Sequence, residues 1–175
     1  MGIWLMFKRM FYSLSVLFIS YFTATVSASE VEYDRYLNGR FSYGISYPVG
    51  VLEPLEEAQN GDGRGFRSKD GKTMMLAYGS NNVLFNTLSD VFLQEIERES
   101  DDGQVRDVTY KALRTNWFVV SGTEGDSIFY TKVIYNKGEN QFIYFRISYP
   151  DSQREIYDPV VSEVSKSMRI LGRSE

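Results

Sequence analysis

The chain of 175 residues contains no histidine and no cysteine. Together these absences remove the usual ligands of zinc and copper, and they exclude nucleophiles activated by a Ser-His or Cys-His pair. No disulfide scaffold and no cysteine-linked lipid anchor can be built either. The chain has no G-x-S-x-G or S-x-x-K motif and no phosphate-binding glycine pattern. Proline is scarce, with four residues, and basic residues (19) are fewer than acidic ones (23). Nucleic acid, whose phosphates need clustered Lys and Arg, is therefore not an expected partner.

The first residues do carry a pattern. Lys8 and Arg9 precede an apolar stretch from Met10 to Phe22, and Val26-Ser27-Ala28 follows as a small-residue site. This is the order of a secretory leader, with an apolar part short for a membrane span. Residues 1–28 are expected to be a signal peptide cleaved after Ala28, with Met6 an alternative start. The mature chain, 29–175, is then one domain of about 150 residues, large enough to bury a core without disulfides. It is expected in the periplasm or outside the cell, with no membrane anchor. It keeps 17 basic against 23 acidic residues, a net charge of −6 that also disfavours an anionic membrane surface.

The densest β signal runs from Thr115 to Pro150. Trp117–Val120, Ile128–Tyr135 and Phe142–Tyr149 are rich in β-branched and aromatic residues, separated by turn clusters at Gly122–Asp126 and Asn136–Asn140. In the second run, Ile128, Tyr130, Lys132 and Ile134 share one face and Phe129, Thr131, Val133 and Tyr135 the other. Neither face is wholly polar, which predicts a sheet covered on both sides.

Arg40 to Tyr47 alternates as a strand ended by Pro48, and Ser29 to Gly39 before it reads as a mobile arm or a short helical turn. Val49 to Ala58 is acidic with scattered apolar residues. Phe66–Lys69 and Thr73–Tyr78 form a hairpin closed by Asp70-Gly71. Thr87 with Asp90 reads as a capping box opening a helix whose stripe is Leu88, Val91, Phe92 and Ile96. Val105 to Ala112 is a further strand. Asp158-Pro159 reads as the start of a closing helix with Tyr157, Val160, Val161, Val164 and Met168 on its apolar stripe, and a weaker turn runs through Asp151 to Ile156. The resulting class is α+β with a mainly antiparallel sheet.

Carboxylates are the remaining catalytic candidates. A glycan hydrolase needs two of them flanking the scissile bond, and Glu53, Glu56 and Glu57, or Glu95 and Glu99, are nominated. Such acidic runs are more often solvated faces. The loop Asn60-Gly61-Asp62-Gly63 contains the middle of a calcium-loop pattern, but the EF-hand frame puts Ala58 and Lys69 where carboxylates are required. A looser oxygen site from Asn60, Asp62 and Asp70 competes with a glycine turn needing positive φ, and the turn is preferred. Arg64 and Arg67 beside the loop fit an anion or, preferably, the acidic segment before it.

The strand RFSYGISYP, the loop N-G-D-G-R-G-F with its K-D-G hairpin, the single helix, the strand W-F-V-V-S-G, the meander and the terminal helix resemble the PsbP/DcrB-like superfamily. The resemblance covers most of the mature chain. It implies an α/β/α sandwich, with helices on both faces of the sheet, that binds another protein and does no chemistry. The superfamily includes an extrinsic photosystem subunit, a bacterial envelope protein and chaperones of secreted effectors. Its ion sites and lipid anchors do not carry over, because the histidine and the cysteine they use are missing here.

The expectation is thus a non-catalytic binding or accessory protein of the cell envelope, without cofactor or metal, whose partner is a protein. The proposed surface comprises Asn60, Asp62, Arg64, Arg67, Asp70 and Trp117. An inhibitor of a wall-degrading enzyme and a carboxylate-dependent glycan hydrolase are the alternatives, and carbohydrate binding stays open because aromatic faces stack on sugars as well as filling cores.

Overall fold

The alternation in Ser127–Asn136 gives a strand with two apolar faces, and the fold is built outward from it. The computed structural model describes residues 31–100 and 103–172, so the leader and its cleavage site lie outside the described residues. The strands are β1 Tyr33–Asn38, β2 Tyr43–Pro48, β3 Glu53–Glu57, β4 Gly63–Arg67, β5 Met74–Asn81, β6 Arg106–Leu113, β7 Trp117–Glu124, β8 Ser127–Asn136, β9 Gln141–Pro150 and β10 Arg169–Ile170. The helices are α1 Leu88–Glu97 and α2 Arg154–Ser167, the latter preceded by a 3-10 turn, Asp151–Gln153.

Seven strands form one antiparallel sheet in the order β3-β4-β5-β9-β8-β7-β6, and β1-β2-β10 form a second. β8 and β9 pair along their whole length, from Ser127↔Pro150 to Asn136↔Gln141. This is the predicted α+β architecture, with two helices packed on a mainly antiparallel sheet. Among the described residues no helix is long and apolar enough to cross a membrane.

The two faces of β8 separate two cores. Ile128 and Ile134, with Tyr130 beside them, pack with Phe145, Ile147, Tyr43, Ile45 and the α2 residues Tyr157, Val160, Val161 and Val164. Phe129 and Val133 pack on the other side with Phe118, Val120, Phe142 and the α1 residues Leu88 and Val91. The second helix layer is narrower than the sheet beneath it, because α1 packs on β6 and β7. Among the described residues, no helix lies over the β3-β4-β5 half of that face.

Several elements differ from the sequence reading. Residues 33–38 form β1, because Tyr36 and Asn38 are buried at alternate positions and Tyr36 pairs with Ile45. β2 starts at Tyr43, since Ser42 has φ 48° and bends the chain. Glu53–Glu57, every residue of it exposed, is an edge strand held by backbone pairing to β4, so no alternation marks it. β4 begins at Gly63, and its hairpin closes through Ser68 N–H to Thr73 O, with Gly71 at φ 72°. β7 continues to Glu124, leaving Gly125-Asp126 as the turn.

The closing helix begins at Arg154, four residues before Asp158, and Pro159 lies within it. The preceding 3-10 turn nucleates it, and Pro159 removes only the bond that would run to the Glu155 carbonyl. Asp158, free of a capping role, accepts the Tyr149 hydroxyl at 2.6 Å.

The predicted capping box of α1 is present. Asp90 N–H donates to Thr87 Oγ1 at 3.2 Å and Thr87 N–H to Asp90 Oδ2 at 2.7 Å, which holds the Asp90 carboxyl below the usual range. At the other end the last turn has no basic residue of its own. Arg106 substitutes: its Nη1 donates to the Glu95 carbonyl at 2.7 Å, where unpaired helix carbonyls concentrate negative charge.

The Glu95 side chain is buried on the apolar stripe of α1. It receives Arg106 Nη2 at 3.2 Å, Arg146 Nη2 at 2.5 Å and the Thr131 hydroxyl at 3.2 Å. Burial pushes its carboxyl pKa up, against the lowering effect of the Arg106 and Arg98 guanidiniums and the Thr131 hydroxyl. Removing the carboxylate leaves two cations short of a partner, so Glu95→Gln is expected to cost roughly 3 kcal/mol. Urea unfolding checks this, with exposed Glu163→Gln changing stability by less than about 0.5 kcal/mol.

Candidate functional site

The segment between β5 and α1 reads Asn82-Val83-Leu84-Phe85-Asn86. Its three central side chains are 74%, 77% and 83% exposed, the largest run of exposed apolar residues among those described. Three consecutive apolar side chains turned to water are unusual for a monomer surface, which makes this loop the candidate site.

The loop that carries them is held firmly. Asn82 is buried; its Nδ2 donates to Asn86 O at 2.9 Å and Asn140 Oδ1 at 3.0 Å, while its Oδ1 accepts from Asn86 N–H at 2.9 Å. Asn140 returns Nδ2 to Asn82 O at 3.2 Å, and the Tyr135 hydroxyl donates to Asn140 Oδ1 at 2.9 Å. The ring of amides ties the loop to the β8–β9 turn. Phe85 itself has φ 55°, a left-handed conformation that a bulky residue adopts only when its surroundings impose it. The side chain gains no burial in exchange.

This loop lies at one end of the large sheet, because Asn81 pairs with Gln141, Asn136 with Gln141, and Trp117 with Ile134. The β3–β4 turn is at the same end, where Gly79 N–H donates to Asp62 O at 2.8 Å. Asn60, Asp62 and Trp117 therefore share this end with the apolar loop. Arg67 and Asp70 do not; Arg67 ends β4 and Asp70 lies in the turn beyond it, roughly 17 Å away.

All of these residues but Arg67 have a local role. Asn60 Nδ2 donates to Asp62 Oδ2 at 2.7 Å across Gly61, whose φ of 67° makes this a glycine turn. Asp62 and Asp70 occupy opposite ends of β4, so the looser oxygen site is not assembled. Asp70 accepts from the Ser68 hydroxyl, Gln153 Nε2 and Lys72 N–H, which together lower its carboxyl to about 2. Arg64 is 3.8 Å from Glu57 and lies over the Tyr36 ring at 5.2 Å, the expected pairing with the acidic segment. Arg67 is exposed, and no ion pair links it to another described residue.

Trp117 is half-buried against the α2 core, with Arg114 and Lys132 each 5.7 Å from its ring centre. Burial lowers the Lys132 pKa, and its ammonium donates to Ser165 O at 2.6 Å near the end of α2. The indole is a packed residue rather than an open stacking platform. Most other aromatics are core as well, with Tyr43, Phe66, Phe118 and Phe145 fully buried.

The nominated carboxylates are not a facing pair. Glu95 faces two arginines and a threonine, while Glu53, Glu56 and Glu57 lie on the exposed edge strand, with Glu57 accepting the Tyr36 hydroxyl at 2.7 Å. Glu99, the other nominated residue, is exposed just beyond the end of α1.

The architecture defines the class: a PsbP/Mog1-like fold. Cyanobacterial PsbP (CyanoP) from Synechocystis sp. PCC 6803 superposes with a TM-score of 0.60 at 14% identity, over 82% of this chain and 95% of that one. The Ran-binding protein Mog1p of Saccharomyces cerevisiae gives 0.57 at 10% identity, over 83% of this chain and 98% of that one. A structure of a Mog1 point mutant gives 0.55. No family model and no curated protein sequence matches the chain.

The strain at Phe85 gives a direct test of whether the loop is held for binding. Phe85→Asn, which tolerates the left-handed conformation, is expected to stabilise the isolated protein by up to about 1 kcal/mol although it removes a large apolar side chain. Thermal unfolding measures it, and a loss exceeding about 1 kcal/mol would mean that the ring is a packed element.

Proposed function

We propose that this is an exported, non-catalytic binding or accessory protein of the cell envelope, and that it recognises a protein through the strand end bearing Val83, Leu84 and Phe85. The observation that carries the reading is the exposure of those three side chains on a loop fixed by Asn82, Asn86, Asn140 and Tyr135. A pre-ordered apolar anchor loses little freedom on binding. Polar turns at Asn60–Asp62 and Lys137–Glu139 flank it, giving the apolar centre and polar rim of a protein interface.

Two further observations support the reading. Mog1p, of the same fold, is itself named for binding a protein, Ran. The leader-like order of Lys8-Arg9, apolar stretch and Val26-Ser27-Ala28 favours export, with Ser29 as the mature N-terminus.

A photo-crosslinker at Leu84, applied in envelope extract, should capture one dominant protein, and Phe85→Asp should abolish the capture. The same group at Ile156, exposed on α2, serves as the control. Recovery of glycan alone, or equal capture from both positions, would refute the site. Mass spectrometry of the purified chain should find Ser29 at its start.

A further inference from the structure

Among the described residues, the face of the large sheet that carries α1 is only partly covered. α1 packs over β6 and β7, whereas Leu55 on β3 and Leu76 on β5 are 37% and 41% exposed on the uncovered half. Leu55, Leu76 and Met74 converge over Gly65, where an added Cβ would meet them at 3.3, 3.5 and 3.8 Å. A hollow of about 290 Å³ separates this apolar strip from α1 and is lined by Met74, Leu76, Glu95 and Arg146 among others.

The helix has an outer face of matching kind. Ser89, Leu93 and Glu97 form a stripe at four-residue spacing, all exposed, with Leu93 at 53%. Three strands at their usual spacing make a bed roughly 10 Å across, the width of one helix.

We infer that a second copy of this chain completes the face, each copy laying α1 on the β3-β4-β5 half of the other about a two-fold axis parallel to the strands. Such an axis exchanges the helix-covered and open halves while preserving height along the strands. Leu93 of one copy then meets Leu55, Leu76 and Met74 of the other.

The charges fall at the right height for this arrangement. Arg67 is paired in register with Met74, which pairs with Ser148, two residues along β9 from Arg146. Arg146 in turn grips Glu95, two residues before Glu97 on α1. Arg67 and Glu97 thus lie on opposite halves of the face, within about two strand residues (~7 Å) of one level. Neither forms an ion pair with another described residue, and Glu53, opposite Arg67 in register, is already taken by Lys69 at 3.7 Å. Across the axis, Arg67 of each copy meets Glu97 of the other, twice per dimer.

The loops at Val83–Phe85 emerge at the same end of both copies, so the dimer presents two apolar anchors side by side. The inference goes beyond the binding reading above and does not depend on it.

Sedimentation velocity on the full chain tests it. The dimer fraction should rise between roughly 1 and 200 µM, and Leu93→Glu, Arg67→Glu and Glu97→Arg should each weaken association at least about tenfold with thermal stability retained. Combining Arg67→Glu with Glu97→Arg should restore it to within about threefold of the parent. A monomer throughout, a dimer indifferent to Leu93→Glu, or a double exchange that fails to restore association would each overturn the inference. Crosslinking from Leu84 to another protein by a strictly monomeric chain would leave the binding reading standing while ending this one.

Discussion

One buried carboxylate determines where α1 lies. Glu95 occupies a core position on α1, where a charge is tolerated only with partners, and its partners come from three strands: Arg106 on β6, Thr131 on β8 and Arg146 on β9. Those contacts fix the helix over one half of the sheet. Arg106 adds a second constraint by binding the Glu95 carbonyl, so the same side chain closes the helix end and neutralises the buried acid. The open β3-β4-β5 half is a consequence of that attachment.

The position of α1 also sets the path into it. The chain leaves β5 at Asn81 and reaches the capping box at Thr87 through a short loop, and the asparagine ring leaves Val83, Leu84 and Phe85 pointing outward. The left-handed backbone at Phe85 is strain that no burial of its ring offsets. The apolar loop and the open half-face are therefore two results of one helix placement, and both leave apolar area for other surfaces to cover.

The legible parts of the sequence were those whose pattern reports burial. β8 alternates between two faces, neither wholly polar, as read from the sequence, and the structure gives one to the α2 core and the other to the α1 core, while Thr87 with Asp90 gives a capping box at sight. β1 was hidden because only Tyr36 and Asn38 of its six residues are buried, and β3 because an exposed edge strand has no alternation to read. The start of α2 was misread because Asp158-Pro159 imitates a helix start, whereas Asp158 serves Tyr149.

The exposed apolar loop was harder to see for a different reason. Asn60, Asp62 and Trp117 share a strand end with the apolar loop, but Val-Leu-Phe between two asparagines carries no periodicity that tells exposed from buried. Glu95 did leave a trace, falling four residues after Val91 on the apolar stripe, yet its arginine partners are 11 and 51 residues further on and only the fold joins them.

Hydroxyl-radical footprinting inside intact cells, compared with the dilute purified protein, tests the central claim most directly, that the α1 side of the molecule is a covered surface in its working state. The account predicts protection of Leu76, Leu84 and Phe85 in cells and unchanged reactivity at Ile156. Equal reactivity of all four in both settings, or protection confined to α2, would contradict it.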